Sequence, residues 1–204
     1  MAGQANWEPD ILAFERQDRE RFPPKGAILF AGSSTMVRWN LALHFPGVPT
    51  INRGFGGSQI RDSLFYAPRI VLPYQPRLIV FYAGENDLAF GNPPDRVEAD
   101  YRAFVALVRR ALPETVVLFL SIKPCPSRWP LWPVMGDMNA RIRTFSASDP
   151  HLDYLDVATP MLGSDGRPRP ELFKADALHL SEAGYALWSA RLRPWLARRP
   201  AENR

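Results

Sequence analysis

Four short blocks of the chain carry residue types able to do chemistry together: GSST (Gly32 to Thr35), RGFGGSQ (Arg53 to Gln59), AGEND (Ala83 to Asp87) and DALH (Asp176 to His179). Between them they hold hydroxyls, a glycine-rich backbone, a side-chain amide and an acid–base pair. A serine hydroxyl is a weak nucleophile at neutral pH; it needs a base beside it and a third group to orient that base. DALH supplies both, because side chains three residues apart in a helix-like turn face the same way, with Cβ atoms about 5–6 Å apart. The Asp176 carboxylate can then accept from one imidazole nitrogen while the other points outward to a serine. The chain has three histidines, and neither His44 nor His151 follows an acidic residue at this spacing. His179 is therefore the candidate base.

Each block also has a plain structural reading. Asp176 can cap a turn with His179 as an ordinary surface residue, and Ser-Ser-Thr after a strand is a normal helix N-cap arrangement. Met36 stands where G-x-S-x-G needs its second glycine, so GSST is not the nucleophile elbow of α/β-hydrolases. RGFGGSQ begins a G-x-G-x-x-G pattern but has Gln59 at the last position and no acidic ribose partner, which argues against a dinucleotide site. Its better reading is that Gly57 exposes a backbone N–H with no side chain in the way. Asn86 either makes an Asx-turn or donates its amide N–H to a developing oxyanion, a role worth about 2.7–4 kcal/mol per donor.

The elements that must position these blocks follow from hydrophobic patterning. AILFA (Ala27 to Ala31), TIN (Thr50 to Asn52), RLIVFYA (Arg77 to Ala83), TVVLFLSI (Thr115 to Ile122) and LDYLDV (Leu152 to Val157) are short apolar runs bounded by turn residues. Continuous runs suit strands covered on both faces, as in a parallel sheet. Helical patterns are predicted over Asn6 to Phe22, Pro94 to Leu112 and Ser181 to Leu196, the last with Ser181 as N-cap. Strand and helix alternating over the whole length predict a three-layer α/β/α sandwich. Ligands in such sheets sit beyond the carboxyl ends of the strands, where three of the blocks fall. The Pro- and Trp-rich segment Ile122 to Asp137 reads as a loop on that edge. In it Trp129 and Trp132, with Arg128 nearby, either border a substrate pocket or cover the sheet. Arg53 and Glu85 either pair with each other as support or meet substrate.

Composition narrows the class. With 46% hydrophobic and 23% charged residues over 204 positions, the chain reads as one folded domain, 1–204, comprising the first helix at about 6–22 and a core at about 27–196. The net charge of +4 comes from dispersed arginines and a small cluster at Arg191, Arg193, Arg198 and Arg199, with neither a basic stripe nor a reader motif, so no nucleic-acid partner is expected. The single cysteine, Cys125, permits no intramolecular disulfide and no cysteine-based zinc site, and fits a reducing compartment. The N-terminus has no apolar signal-peptide core and no apolar run reaches transmembrane length, so cytoplasmic residence is the expectation. Homo-oligomerisation is left open.

In chain order, Gly32-Ser33-Ser34, Gly57, Gly84-Glu85-Asn86-Asp87 and Asp176-Ala177-Leu178-His179 resemble the blocks of the SGNH/GDSL hydrolase superfamily, over roughly Ala27 to Trp188. The family's Ser, Gly, Asn and His fall on Ser34, Gly57, Asn86 and His179. The resemblance implies a flavodoxin-like α/β/α fold with a mostly parallel five-stranded sheet, and serine ester hydrolysis with no metal or cofactor. It also implies an acyl-enzyme on Ser34, proton transfer by His179 held by Asp176, and an oxyanion hole of the Ser34 and Gly57 N–H groups and the Asn86 side chain. One position departs: the family's Gly-Asp-Ser is Gly32-Ser33-Ser34. The third position reacts in that pattern, which selects Ser34 and leaves Ser33 to the cap and turn. The implied substrate is a small or short-chain acyl ester. The alternatives are a thioesterase or acyltransferase with the same triad, or a non-catalytic binding module of the same fold.

Overall fold

The five apolar runs form one all-parallel sheet, and the helices between them cover both of its faces. A computed structural model describes residues 7–198; Asn6, at the predicted start of the first helix, and Arg199 of the basic cluster lie outside the described residues. In chain order the elements are α1 (Glu8–Glu20), β1 (Ile28–Gly32), α2 (Ser34–Val37), α3 (Leu41–His44), β2 (Thr50–Gly54), α4 (Ile60–Ile70), β3 (Leu78–Tyr82), α5 (Glu85–Ala89), α6 (Pro94–Ala111), β4 (Val116–Leu120), α7 (Trp132–Ser146), β5 (Leu152–Leu155) and α8 (Glu182–Ala197). Strand order is β2-β1-β3-β4-β5.

Alternation along each strand builds two cores. Leu29, Ala31, Ile79, Phe81, Val117 and Phe119 point to the face covered by α1, α4, α6 and α7. Ile28, Phe30, Leu78, Val80, Tyr82, Leu118 and Leu120 point to the other, beneath α8. Burial on both faces is the reason the strands read as unbroken apolar runs.

Besides the short α3 and α5, two longer helices, α4 and α7, were not foreseen. α4 starts with a capping box in which Gln59 and Asp62 satisfy each other's backbone N–H groups. The segment expected as a loop, Ile122 to Asp137, is irregular only at its start: Pro126–Leu131 is a 3-10 turn, and α7 begins at Trp132. Pro133 does not prevent this, because a proline in the first helical turn removes an N–H that has no intrahelical acceptor.

In a sheet of this order the chain leaves β1 for one side and returns on the other, so a crevice opens beyond the ends of β1 and β3. Gly32 makes that junction tight. At φ +129° it lies against β3, where a β-carbon would sit 1.9 Å from the Tyr82 carbonyl oxygen. Among the described residues no helix is long and apolar enough to cross a membrane.

Candidate active site

Ser34 opens α2 at the end of β1, and the junction is laced to its neighbours by hydrogen bonds. Ser33 N–H donates to the Tyr82 carbonyl (3.0 Å), and Phe55 N–H donates to the Gly32 carbonyl (3.0 Å). The Ser58 hydroxyl donates to the Phe55 carbonyl (2.8 Å), and the Asn86 amide donates to the Ser58 carbonyl (3.0 Å). These bonds draw GSST, RGFGGSQ and AGEND to one crevice. Gly57 adopts φ +76°, a conformation that L side chains rarely take, with open space where a β-carbon would sit.

Ser33 occupies the N-cap position of α2, but its hydroxyl makes no capping hydrogen bond, which corrects the cap role expected of it. The backbone alone turns the chain there: the Ser33 carbonyl accepts from Met36 N–H at 2.9 Å.

The fourth block arrives from α8. Tyr185 donates its hydroxyl hydrogen to the Thr35 carbonyl (2.9 Å), while Tyr185 and Trp188 pack in one core with Met36 and Trp39, so α8 is locked over α2. The Asp176–His179 turn precedes α8, and the Asp176 carboxylate serves both the turn's backbone and the His179 ring, so His179 is not an ordinary surface residue. Asp176 Oδ1 accepts from the N–H groups of Leu178 (3.0 Å) and His179 (2.9 Å), capping the turn. Its Oδ2 meets His179 Nδ1 at 2.7 Å, and His179 Nε2 lies 3.1 Å from Ser34 Oγ. The bond to the His179 ring, joined by those two N–H groups, holds the Asp176 carboxyl far below the usual carboxylate range, so it is ionised at neutral pH. An ionised carboxylate only accepts, so the imidazole hydrogen sits on Nδ1 and Nε2 is left to accept from Ser34. His44 and His151 lie elsewhere, His44 buried against Tyr185 and His151 beside Asp149.

Beyond β3, the expected pairing of Arg53 with Glu85 does not form. Arg53 is buried, with Nη2 on Asp18 of α1 (2.5 Å), Nε on the Tyr74 hydroxyl (2.8 Å) and its guanidinium 4.8 Å from the Phe14 ring centroid. It clamps α1 to the sheet, which corrects the substrate-contact expectation. Glu85 is buried too, and is held by Lys123, the Tyr82 hydroxyl (2.5 Å) and Arg128 (3.0 Å). Burial would raise the Glu85 carboxyl, but the two cations and the hydrogen bonds outweigh it and hold it below the ordinary value. The same environment pushes the Cys125 thiol up to about 12, through burial and the Glu85 charge. Lys123 escaped the reading of the sequence. Its only signal there is a lysine directly after an apolar strand.

Arg128 turns inward, with Nη1 donating to both Glu85 and the Asn86 Oδ1 (2.9 Å). Asn86 makes no Asx-turn. Trp129 and Trp132 stack, with ring centroids 6.0 Å apart, and Arg167 lies 5.5 Å from the Trp129 centroid. Trp129 lines a cavity of about 490 Å3 together with Pro126, Phe173 and Ala177, the last of these inside the Asp176–His179 turn. Trp132 packs against the sheet core instead. A second cavity, about 620 Å3, opens between the end of α7 and β5 and holds none of these residues. Among the described residues no three His, Cys, Asp or Glu side chains group as a metal site.

Asp87 is a support of the same crevice with a testable signature. Its Oδ1 accepts from Ile60 N–H (3.0 Å) at the start of α4, while its Oδ2 is buried without a partner. Burial raises its pKa to about 6, with the Asp100 and Asp62 charges adding. An unfolded aspartate titrates near 3.9, so between about pH 4 and 6 the folded state binds more protons, and stability falls as pH rises. The loss is on the order of 2–3 kcal/mol and is complete above pH 6. Asp87→Asn keeps the acceptor for Ile60 and imitates the protonated acid. Urea unfolding from pH 4 to 7 should show a shallower stability slope in the variant; equal slopes would refute the assignment.

The fold is thus an α/β sandwich whose ligand crevice carries a hydroxyl, an imidazole and a carboxylate in series. Residues 23–187 match the GDSL-like Lipase/Acylhydrolase family, and the chain belongs to that family of hydrolases. Among solved structures it is similar to a candidate platelet activating factor from Streptococcus pneumonia, at TM-score 0.83 and 22% identity over 94% of each chain. It is also similar to a GDSL-like lipase from Bacteroides thetaiotaomicron, at TM-score 0.81 and 20% identity over 93% of this chain and 98% of that one. A catalytic mutant of an acetylxylan esterase from Geobacillus stearothermophilus aligns at TM-score 0.66 and 15% identity, covering 83% of this chain and 93% of that one. At these identities the likeness is one of fold. No protein of curated function matches the chain.

Proposed function

We propose that the protein is a serine esterase acting on small or short-chain acyl esters through an acyl-enzyme on Ser34. The observation that carries this reading is the continuous series Ser34 Oγ, His179 Nε2, His179 Nδ1 and Asp176 Oδ2, with contacts of 3.1 and 2.7 Å. His179 Nε2 takes the hydroxyl hydrogen as Oγ attacks the acyl carbonyl, and Asp176 stabilises the imidazolium that forms. The same proton is then given to the departing alcohol. Water, activated in turn by His179, releases the acid and restores Ser34. The tetrahedral oxyanion is met by the Ser34 and Gly57 N–H groups and by Asn86 Nδ2, which spends one hydrogen on Ser58 and keeps the other for substrate.

Family membership supports hydrolysis of an acyl bond, and the acetylxylan esterase among its structural neighbours supports a small acyl group. The cavity beside the Asp176–His179 turn, walled by Trp129 and Phe173, suits the apolar part of such an ester. Turnover of p-nitrophenyl esters from acetate to palmitate, with acetyl and butyryl thioesters in parallel, tests the reading. The expected result is highest kcat/KM at two to four carbons, with the oxygen ester favoured. A protein that turns over none of them is a binding module, and one that favours the thioesters is a thioesterase.

A further inference from the structure

We infer that Arg128 is a positioning residue: it orients the Asn86 amide so that nitrogen, and not oxygen, is presented to the reacting carbonyl. The inference rests on the esterase reading above. A carboxamide can sit in its pocket in two ways that differ only by exchange of O and NH2, and only one of them donates to an oxyanion. The two neighbours of Asn86 decide between them. Arg128 Nη1 lies 2.9 Å from one amide terminus and can only donate; the Ser58 carbonyl lies 3.0 Å from the other and can only accept. A flipped amide would set donor against donor and acceptor against acceptor, so this pair admits a single orientation.

Arg128 is itself fixed from behind. The two hydrogens of Nη1 are both used, one on Asn86 Oδ1 and one on Glu85 Oε1 (3.0 Å). Glu85 and Lys123 are almost wholly buried, and Glu85 also takes the Tyr82 hydroxyl. Lys123 therefore neutralises Glu85, and the Arg128 charge is left in excess beside Asn86. A cation hydrogen-bonded to an amide oxygen polarises that amide, so its N–H donates more strongly to negative charge. That effect grows as the oxyanion forms. Arg128 thus acts on the transition state, although its Nη1 reaches no substrate.

The test is a double-mutant cycle with p-nitrophenyl acetate, a neutral ester too small to need a charged contact. Arg128→Met is expected to lower kcat about 10–100-fold, a share of the 10²–10³ that one whole oxyanion donor supplies, with KM changed less than about twofold. In an Asn86→Ala background the same substitution should lower kcat by less than about threefold, because the amide it orients is gone. Glu85 keeps Lys123 in either case, and Arg128→Gln, which retains an N–H donor, serves as a milder second variant with a smaller loss expected. Full losses that multiply in the double mutant, or a loss confined to KM, would overturn the inference. If wild-type turnover survives Ser34→Ala, the esterase reading falls and takes the inference with it. If turnover needs Ser34 but ignores Arg128→Met, the inference alone falls.

Discussion

Replacing Ser34 by alanine is expected to lower kcat by about 10⁶-fold, close to the loss when a whole serine triad is removed, because its members act as a unit. Replacing Ser33 by alanine should cost less than about tenfold. The two serines are adjacent, but only Ser34 Oγ lies within hydrogen-bond reach of His179. Ser33 contributes its backbone, through Tyr82 and Met36, and its hydroxyl caps nothing. Steady-state turnover of p-nitrophenyl acetate measures both variants, and mass spectrometry after fluorophosphonate treatment locates the modified residue. A label on Ser33, or activity that survives Ser34→Ala, would remove the mechanism.

Asp176→Asn should lower kcat by about 10⁴-fold at neutral pH while leaving the fold intact. The asparagine oxygen can keep the Leu178 and His179 N–H groups that cap the turn. Its NH2 then faces His179 Nδ1, which must become an acceptor. The ring hydrogen moves to Nε2, where it meets Ser34 Oγ and cannot take its proton. Because the change is one of tautomer, thermal unfolding should move little and substrate binding should persist. A loss of less than tenfold would mean that Asp176 serves the turn alone.

The parts of the site legible in the sequence were those carried by short range or by strand boundaries. Asp176 and His179 are three residues apart, so their contact is nearly decided by local geometry. The apolar runs before Gly32 and Gly84 placed two more blocks at strand ends, since a strand buried on both faces must be apolar throughout. α4 and α7 were harder to see. α4 buries Asp62 and Ser63 on its inner side, which blurs its period, and α7 starts at a Trp-Pro pair that reads as loop.

What sequence alone determined is the set of candidate groups and the sheet that brings them to one edge; what tertiary structure decided is how each group is held. Glu85 is joined to Lys123 and Arg128 across 38 and 43 residues, through the adjacency of β3 and β4, and Arg53 to Asp18 across 35. A charge in the sequence has several opposite charges within reach of some fold, and no local rule selects among them. Burial selects, because a charge withdrawn from water must find its counter-charge within hydrogen-bond distance, and only the packed chain says which one is there.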